Sequence, residues 1–364
     1  MPATPDLPSW IPQKRRRTQK SNPITDSKRF DMWLTSLSLG VSLRTYSRLV
    51  MMGAPLQLYT LLHFIAVASP QEQKGSLHLV EYFCGVAAHT RAFQACGLNV
   101  VGFDILRDGL FMDIASKLGV VTALTLCTRV MPGGVGWLAT VCSSFSWMCR
   151  HSVERSKTAP LGDACSWSAT NGNLLAARSA LIMLLLMALG AGWFLEQPAN
   201  SIMASHPSLE YVKELASKLP KLCEWHAADS FLGAFGAQSL KPVTIRSNKQ
   251  WVWSLATSRP SLASFDSSDI TEVTDSGLDM MTGKRKQAIA GKKGLKQTEQ
   301  YPDAFGHAFM DAYICMQLES EPIDEVDIDE DYMEMPVSHA AWEDLGMDST
   351  LQMAVSELQS LQRR

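Results

Sequence analysis

The chain lacks the cysteine spacing of a metal site or a redox pair. Its eight cysteines, at positions 84, 96, 127, 142, 149, 165, 223 and 315, include no C-x-x-C pair, and its eight histidines do not fall at zinc-ligand spacing from them. An apolar leader is missing as well: the first residues are Pro-rich and then basic, which predicts reduced thiols, an intracellular setting and no metal. A clean run of about 20 apolar residues, the length a membrane span needs, is also absent. "LVMMGAPLQLYTLLHFIAVA" (49–68) is interrupted by Pro55, Gln57 and His63, and "LLAARSALIMLLLMALGAGWFLEQP" (174–198) carries Arg178 and glycines at 190 and 192. Buried helices, with a glycine stop and a short strand closing the second stretch, are predicted in place of spans. The full G-x-G-x-x-G dinucleotide fingerprint does not occur.

What is present is enough apolar material for a sizeable core: 364 residues, 46% hydrophobic and 8% aromatic. The formal net charge of −3 conceals opposite ends. Residues 1–27 are rich in Pro, Ser and Thr and contain Lys14, Arg15, Arg16, Arg17 and Lys20, a basic cluster that reads either as a nuclear-import signal or as a solvated tail, hence a nuclear or cytoplasmic protein. Residues 28–74 read as a helical extension ending in the linker "SPQEQKGS", residues 75–318 as the main domain, and residues 319–364, opening "ESEPIDEVDIDEDYMEM", as an acidic tail with a short terminal helix.

Within the main domain, strands alternate with helices. Strands are predicted at 77–83, 99–105, 135–141, 192–197 and 223–228, with a final pair around "KPVTIRSNKQWVWSL", and helices near 86–96, 116–130, 172–189, 206–219 and 301–318. Residues 258–280 read as a loop. The pattern predicts an α/β fold, a mainly parallel Rossmann-like sheet with helices on both faces.

In such a sheet ligands bind beyond the carboxyl ends of the strands, so the residues that end them matter most. Gly85 in "EYFCGVAAHT" permits a tight turn, and Asp104 follows 19 positions later at the next strand end, the place of a ribose-binding carboxylate. Together they point to an adenosine-containing cofactor; Asp113 adds a third polar group. Cys142 is expected where the third strand stops, beside Glu196 on the fourth. A thiol next to a carboxylate is a nucleophile paired with a proton donor or acceptor.

These segments resemble the cytosine-C5 methyltransferase family, built on the class I S-adenosylmethionine-dependent sheet. "EYFCGVAAHTRAFQACGLNVVGFDI" is similar to the family's "D-x-F-C-G-x-G-G" and the acidic strand end after it, "ATVCSSFSWM" to "P-P-C-Q-x-F-S", and "WFLEQPANSIM" to "F-x-x-E-N-V", over roughly residues 77–255. The resemblance implies that Glu81, Phe83, Gly85, Asp104, Ile105 and Asp113 hold S-adenosylmethionine. It implies that Cys142 adds to C6 of cytosine and that Glu196 contacts the ring nitrogen. It further implies that DNA, or else RNA, is held by Ser144, Arg150, Lys241 and Arg246, with phosphate contacts from Lys284, Arg285, Lys286, Lys292, Lys293 and Lys296, whose alternative reading is a solvated loop.

The chain departs from the family pattern at several of these positions. Val141 stands for the proline before the nucleophile, Ser143 for the glutamine after it, Ala87 for a glycine, and Gln197 and Pro198 for asparagine and valine. The later "Q-x-R-x-R" is reduced to "QSLKPVTIR", and little sequence is left for a target-recognition domain. The alternative is therefore a module that keeps the fold and binds cofactor or nucleic acid without methylating it.

Overall fold

The computed structural model describes residues 42–55, 58–59, 61–62, 65, 75–146, 149–220, 222–261, 271–278, 285–291 and 299–319. The basic cluster at 14–20, the acidic segment from 320 onward, and Lys284, Lys292, Lys293 and Lys296 lie outside these residues, so the expectations placed on them are not addressed by the fold.

Six strands form one sheet: β1 (Leu77–Tyr82), β2 (Val100–Phe103), β3 (Val130–Leu138), β4 (Gly192–Pro198), β5 (His226–Phe231) and β6 (Pro242–Ser247), in the spatial order β2-β1-β3-β4-β6-β5. The first four in that order run parallel, whereas β6 is antiparallel to both of its neighbours. The described helices are α1 (Leu43–Met51), α2 (Ala88–Ala95), α3 (Ile105–Asp108), α4 (Lys117–Thr128), α5 (Arg150–Val153), α6 (Trp167–Leu189), α7 (Pro207–Lys218) and α8 (Asp303–Glu319). From β1 the chain moves outward through α2 to β2, then returns across β1 to β3. The order of strands reverses between β1 and β3, and this is where an open α/β sheet forms a crevice at its carboxyl edge.

Helices cover both faces. On one, α4, α6 and α7 pack on the sheet through residues such as Val120, Leu124, Leu181, Leu184 and Val212, and the N-terminal segment joins the same core through Leu49, Met52, Leu58, Leu61, Leu62 and Ile65. That segment therefore braces the helix layer, and Arg48 of α1 donates to the Ala188 carbonyl of α6 at 3.2 Å. On the other face, Ala88, Ala92 and Phe93 of α2 meet Phe305, Phe309 and Tyr313 of α8 over Trp137 and Phe194 of the sheet. Gly306 makes this crossing possible: a Cβ there would stand 2.4 Å from the Ala88 carbonyl oxygen.

The long apolar run that begins near Leu174 is α6. By length and composition alone this helix could cross a membrane, but 83% of its most apolar stretch is buried inside the fold. Ser166 caps its first turn, and Gly190, at φ +79°, ends it. Arg178 is buried within it and donates to the carbonyls of Ile114 and Ser116, so a residue that breaks the apolar run anchors the loop carrying Asp113.

Several boundaries differ from expectation. Strand β3 starts at Val130, earlier than its densest apolar stretch, and stops at Leu138, so Cys142 lies four residues beyond the strand in a separate turn. Strand β5 begins at His226, not Cys223, because Cys223 is drawn back into the helix layer by the Leu219 carbonyl. The predicted final strand pair is one strand, β6, followed by a 3-10 turn over Gln250–Leu255. Asn248 breaks it there: its side chain accepts from the Trp193 amide at 2.8 Å and donates to the Ala191 carbonyl, taking up sheet-edge groups that another strand would use. The expected loop at 258–280 contains a strand, β7 (Thr271–Leu278), paired antiparallel with β8 (Arg285–Gly291) in a separate two-stranded sheet. Arg285 and Lys286 are thus on a strand; the alternating Thr271, Val273 pattern was the overlooked signal.

Candidate functional site at the carboxyl edge of the sheet

The turn after β1 is unusual in its backbone. Phe83, Gly85 and Ala87 all have positive φ, at +57°, +48° and +58°. For Phe83 and Ala87 that conformation costs energy, and the surroundings must impose it. One restraint is visible: the Gly85 amide donates to Asp104 Oδ2 at 2.9 Å, while Asp104 Oδ1 accepts from the Leu106 amide at 2.9 Å and caps α3. Gly85 and Asp104, read separately in the sequence, are joined directly. Gly85 is exposed, and a Cβ on it would meet nothing within 4 Å, so its backbone edge is open to a ligand. Beside Asp104, the side chains of Ile105, Leu106, Leu110 and Phe111 stand exposed and form an apolar surface next to the carboxylate.

Glu81 plays a different part from the one the resemblance implies. It is fully buried on β1, and its Oε2 accepts from the Thr90 amide at 2.7 Å and the Thr90 hydroxyl at 2.6 Å, holding the first turn of α2. Burial raises its carboxyl to about pKa 7, against the lowering effect of the Thr90 bonds. Asp113 accepts from the Ala115 amide at 2.9 Å and remains half-buried.

The second half of the site lies past β3 and β4. Cys142 opens a one-turn 3-10 helix, Ser143–Phe145, and is half-buried. The Gln197 amide donates to the Thr140 carbonyl at 2.7 Å, and Ser201 donates to Gln197 Oε1 at 3.0 Å. Thr140 also bonds Ser179 of α6 through its hydroxyl, at 2.8 Å. The segment leading to Cys142 is therefore fastened on both sides. Gln197, in place of the asparagine of the resembling motif, supplies one of these ties.

Arg155 supplies another, and no sequence pattern marks it. This residue is buried, donates to the Ala169 carbonyl at 2.7 Å and to Asn173 Oδ1 at 2.8 Å, reaches Ser144 Oγ at 3.3 Å, and lies 3.9 Å above the Phe145 ring. Ser144 is consequently buried and faces Arg155, which corrects its expected role as a nucleic-acid contact. The 3-10 helix presses onto α6 at Gly172, where a Cβ would stand 2.1 Å from Ser144 Oγ.

Glu196 is buried on β4. Its Oε2 accepts a 2.7 Å bond from the Tyr301 hydroxyl, while Oε1 is buried without a hydrogen-bond partner. Burial raises its pKa, opposed by the charge of Lys241 and by the Tyr301 bond. Burial also pushes the Cys142 thiol up to about 11, with the charge of Glu196 adding to the shift and that of Lys241 opposing it. Glu196 and Lys241 are thus both near enough to act on the Cys142 thiol, and Lys241 acts on Glu196 as well. Lys241 sits at the entry to β6 with φ +32°, its ammonium 5.6 Å from the Tyr301 ring centre.

Arg246 does not join them. It pairs with Leu195 in the β4–β6 register, so alternation places it on the opposite face of the sheet from Ile245 and Glu196, where Asp229 is its charged neighbour. Arg150 begins α5, eight residues after Cys142. Tyr301 is the residue that sequence reasoning missed: the Tyr-Pro pair just before a helical run was the available signal, since Pro302 precedes the first turn of α8. Among the described residues no three His, Cys, Asp or Glu side chains converge as metal ligands.

Comparisons with protein-family models, with curated proteins and with solved structures find no match to this chain. The functional reading therefore rests on the site itself.

Proposed function

We propose that this protein transfers a methyl group from S-adenosylmethionine to C5 of cytosine in nucleic acid, DNA rather than RNA, through a covalent bond between Cys142 and C6. The observation that carries the reading is the placement of Cys142 in the turn after β3, beside Glu196 near the end of the adjacent parallel strand β4 and Lys241 at the entry to the antiparallel β6, on a sheet whose first turn joins Gly85 to Asp104. The mainly parallel sheet, with its order reversing between β1 and β3, supports the finer assignment to the class I methyltransferase arrangement.

The residues around Gly85 fit such a cofactor. Its backbone edge is open, each oxygen of Asp104 accepts a single bond and keeps a lone pair for a ribose hydroxyl, and the exposed apolar surface of Ile105, Leu106 and Phe111 suits a flat base. When bound, the cofactor supplies an electrophilic methyl group. The protein's own residues prepare the acceptor. Cytosine C5 is a weak nucleophile, and addition of the Cys142 thiolate at C6 turns it into an enamine carbon. Glu196, whose pKa burial raises, donates a proton in its acid form to the ring nitrogen as the thiolate adds. After C5 acquires the methyl group, it loses its proton to a base, the thiolate is eliminated from C6, and the ring nitrogen returns its proton to Glu196, which restores the neutral aromatic ring. A base taken out of its stack is the only form that can reach these groups.

A second reading, a binding module that keeps the fold without the reaction, is favoured by the burial of the Cys142 thiol, which raises it to about 11 and disfavours the thiolate that the reaction needs. The two are separated by incubating the protein with methyl-labelled S-adenosylmethionine and cytosine-containing DNA or RNA. Label in the nucleic acid, and a covalent complex with 5-fluorocytosine DNA that Cys142→Ala abolishes, supports transfer. Retained cofactor binding with neither product supports the module.

A further inference from the structure

Tyr301 lies over 100 residues from Glu196 in sequence, yet its ring is enclosed on several sides. His89 stands 5.3 Å from it, Phe305 5.4 Å and Trp137 6.0 Å, the last edge-on at 89°. A ring held in this way has little freedom to swing, so its hydroxyl is a fixed donor. That hydroxyl meets Glu196 Oε2 at 2.7 Å, and the face of the same ring receives Lys241 at 5.6 Å. One side chain therefore meets the two charged groups that act most strongly on Cys142.

We propose that Tyr301 is the positioning residue of this site, fixing the rotamer of Glu196 so that Oε2 is taken and Oε1 alone is offered to a ligand. The proposal rests on the reading of Glu196 as the group that meets the base. Because the Tyr301 hydroxyl donates to Oε2, the proton of the neutral acid sits on Oε1, the oxygen that has no partner within the protein. Such an acid presents one O–H donor in one direction, which selects a planar heterocycle carrying an unprotonated ring nitrogen at its edge. The titratable groups facing this pair are Cys142 after β3, Lys241 before β6, Glu81 on β1, His89 on α2 and Glu299 on the segment before α8.

The test needs neither substrate nor cofactor. Protein carrying carboxyl-labelled glutamate is titrated by carbon NMR, with Glu196→Gln identifying the resonance. Tyr301→Phe keeps the ring and the Lys241 contact but removes the donor that favours the charged carboxylate, so the Glu196 midpoint should move up by about one pH unit, a tenfold change in proton affinity. Incorporation of 3-fluorotyrosine, whose hydroxyl is a stronger donor, should move it down, and this variant serves if Tyr301→Phe fails to fold. A midpoint unchanged by either replacement overturns the positioning role, whereas shifted midpoints in a protein that transfers no methyl group uphold it and count against the proposed reaction alone.

Discussion

The carboxylate of Glu81 is buried under the first turn of α2, where Thr90 gives it both a backbone and a side-chain hydrogen bond. The same contact that shapes the loop around Gly85 makes the fold sensitive to pH. The folded-state pKa near 7 lies above the unfolded value of about 4.5, so the native state binds more protons between those values and loses stability as pH rises through them. Glu81→Gln, which keeps an acceptor for Thr90, should be neutral below pH 4.5 and more stable than wild type by up to about 3 kcal/mol at pH 8. Urea unfolding at the two pH values checks this; equal stabilisation at both would show that charge is not the cause.

His89 acts in the opposite direction. Enclosed by Trp137, Phe305 and Phe309, it is lowered by burial to about pKa 3, and so it must stay neutral to remain folded. Its contribution is complete above pH 6.5 and is lost as pH falls toward 3. His89→Phe should flatten the acid side of the stability curve, measured as thermal midpoint against pH between 4 and 7.

Cys142 should respond to Glu196 and Lys241 with opposite sign. Removing the Glu196 charge in Glu196→Gln lowers the thiol pKa, and removing Lys241 in Lys241→Ala raises it. Since alkylation follows the thiolate fraction, iodoacetamide labelling of Cys142 at pH 8 should accelerate about three- to tenfold in the first variant and slow in the second. Mass spectrometry of the Cys142 peptide separates it from the exposed Cys96, Cys165 and Cys315. Labelling rates that move in the same direction would remove the electrostatic account.

Gln197 should matter to the fold as well as to the site. Gln197→Ala leaves the Thr140 carbonyl without its donor, and an unsatisfied buried acceptor costs about 1–3 kcal/mol. Denaturant midpoints measure the loss, and faster labelling of Cys142 should accompany it as the loop loosens.

Asp104 is predicted to act twice. Asp104→Ala should weaken S-adenosylmethionine binding by about 1–3 kcal/mol in a calorimetric titration, both by removing acceptors for ribose hydroxyls and by releasing the Gly85 amide. An unchanged affinity in the folded variant would take this carboxylate out of the cofactor site.

The alternation of apolar strands with helical segments made the α/β class legible, and the positions of Gly85, Asp104, Cys142 and Glu196 at or past strand ends could be read from the local marks that end those strands. What escaped was set by contacts distant in sequence. Tyr301 and Arg155 are ordinary residues in their own segments and gain their meaning from Glu196 and from Ser144 and Phe145. Arg246 was misplaced for a related reason: a motif spacing does not show on which face of a strand a side chain falls, and only the pairing with Leu195 settles it. Strand β7 was passed over because its Ser, Thr and Asp content resembles that of a loop, and β8 because it lies in a basic stretch that reads as phosphate contacts or a solvated loop.

The site also has an order in time. Gly85, Cys142, Glu196 and Lys241 are all synthesised before Tyr301, and α8 must dock against α2, with Gly306 at the crossing and Arg91 paired to Asp303, before the Tyr301 hydroxyl can reach Glu196. Until then the growing chain carries a thiol and a carboxylate without the donor and the aromatic cover that organise them. A chain stopped short of Tyr301 would hold every residue of the sequence motifs and still lack the hydroxyl that fixes Glu196.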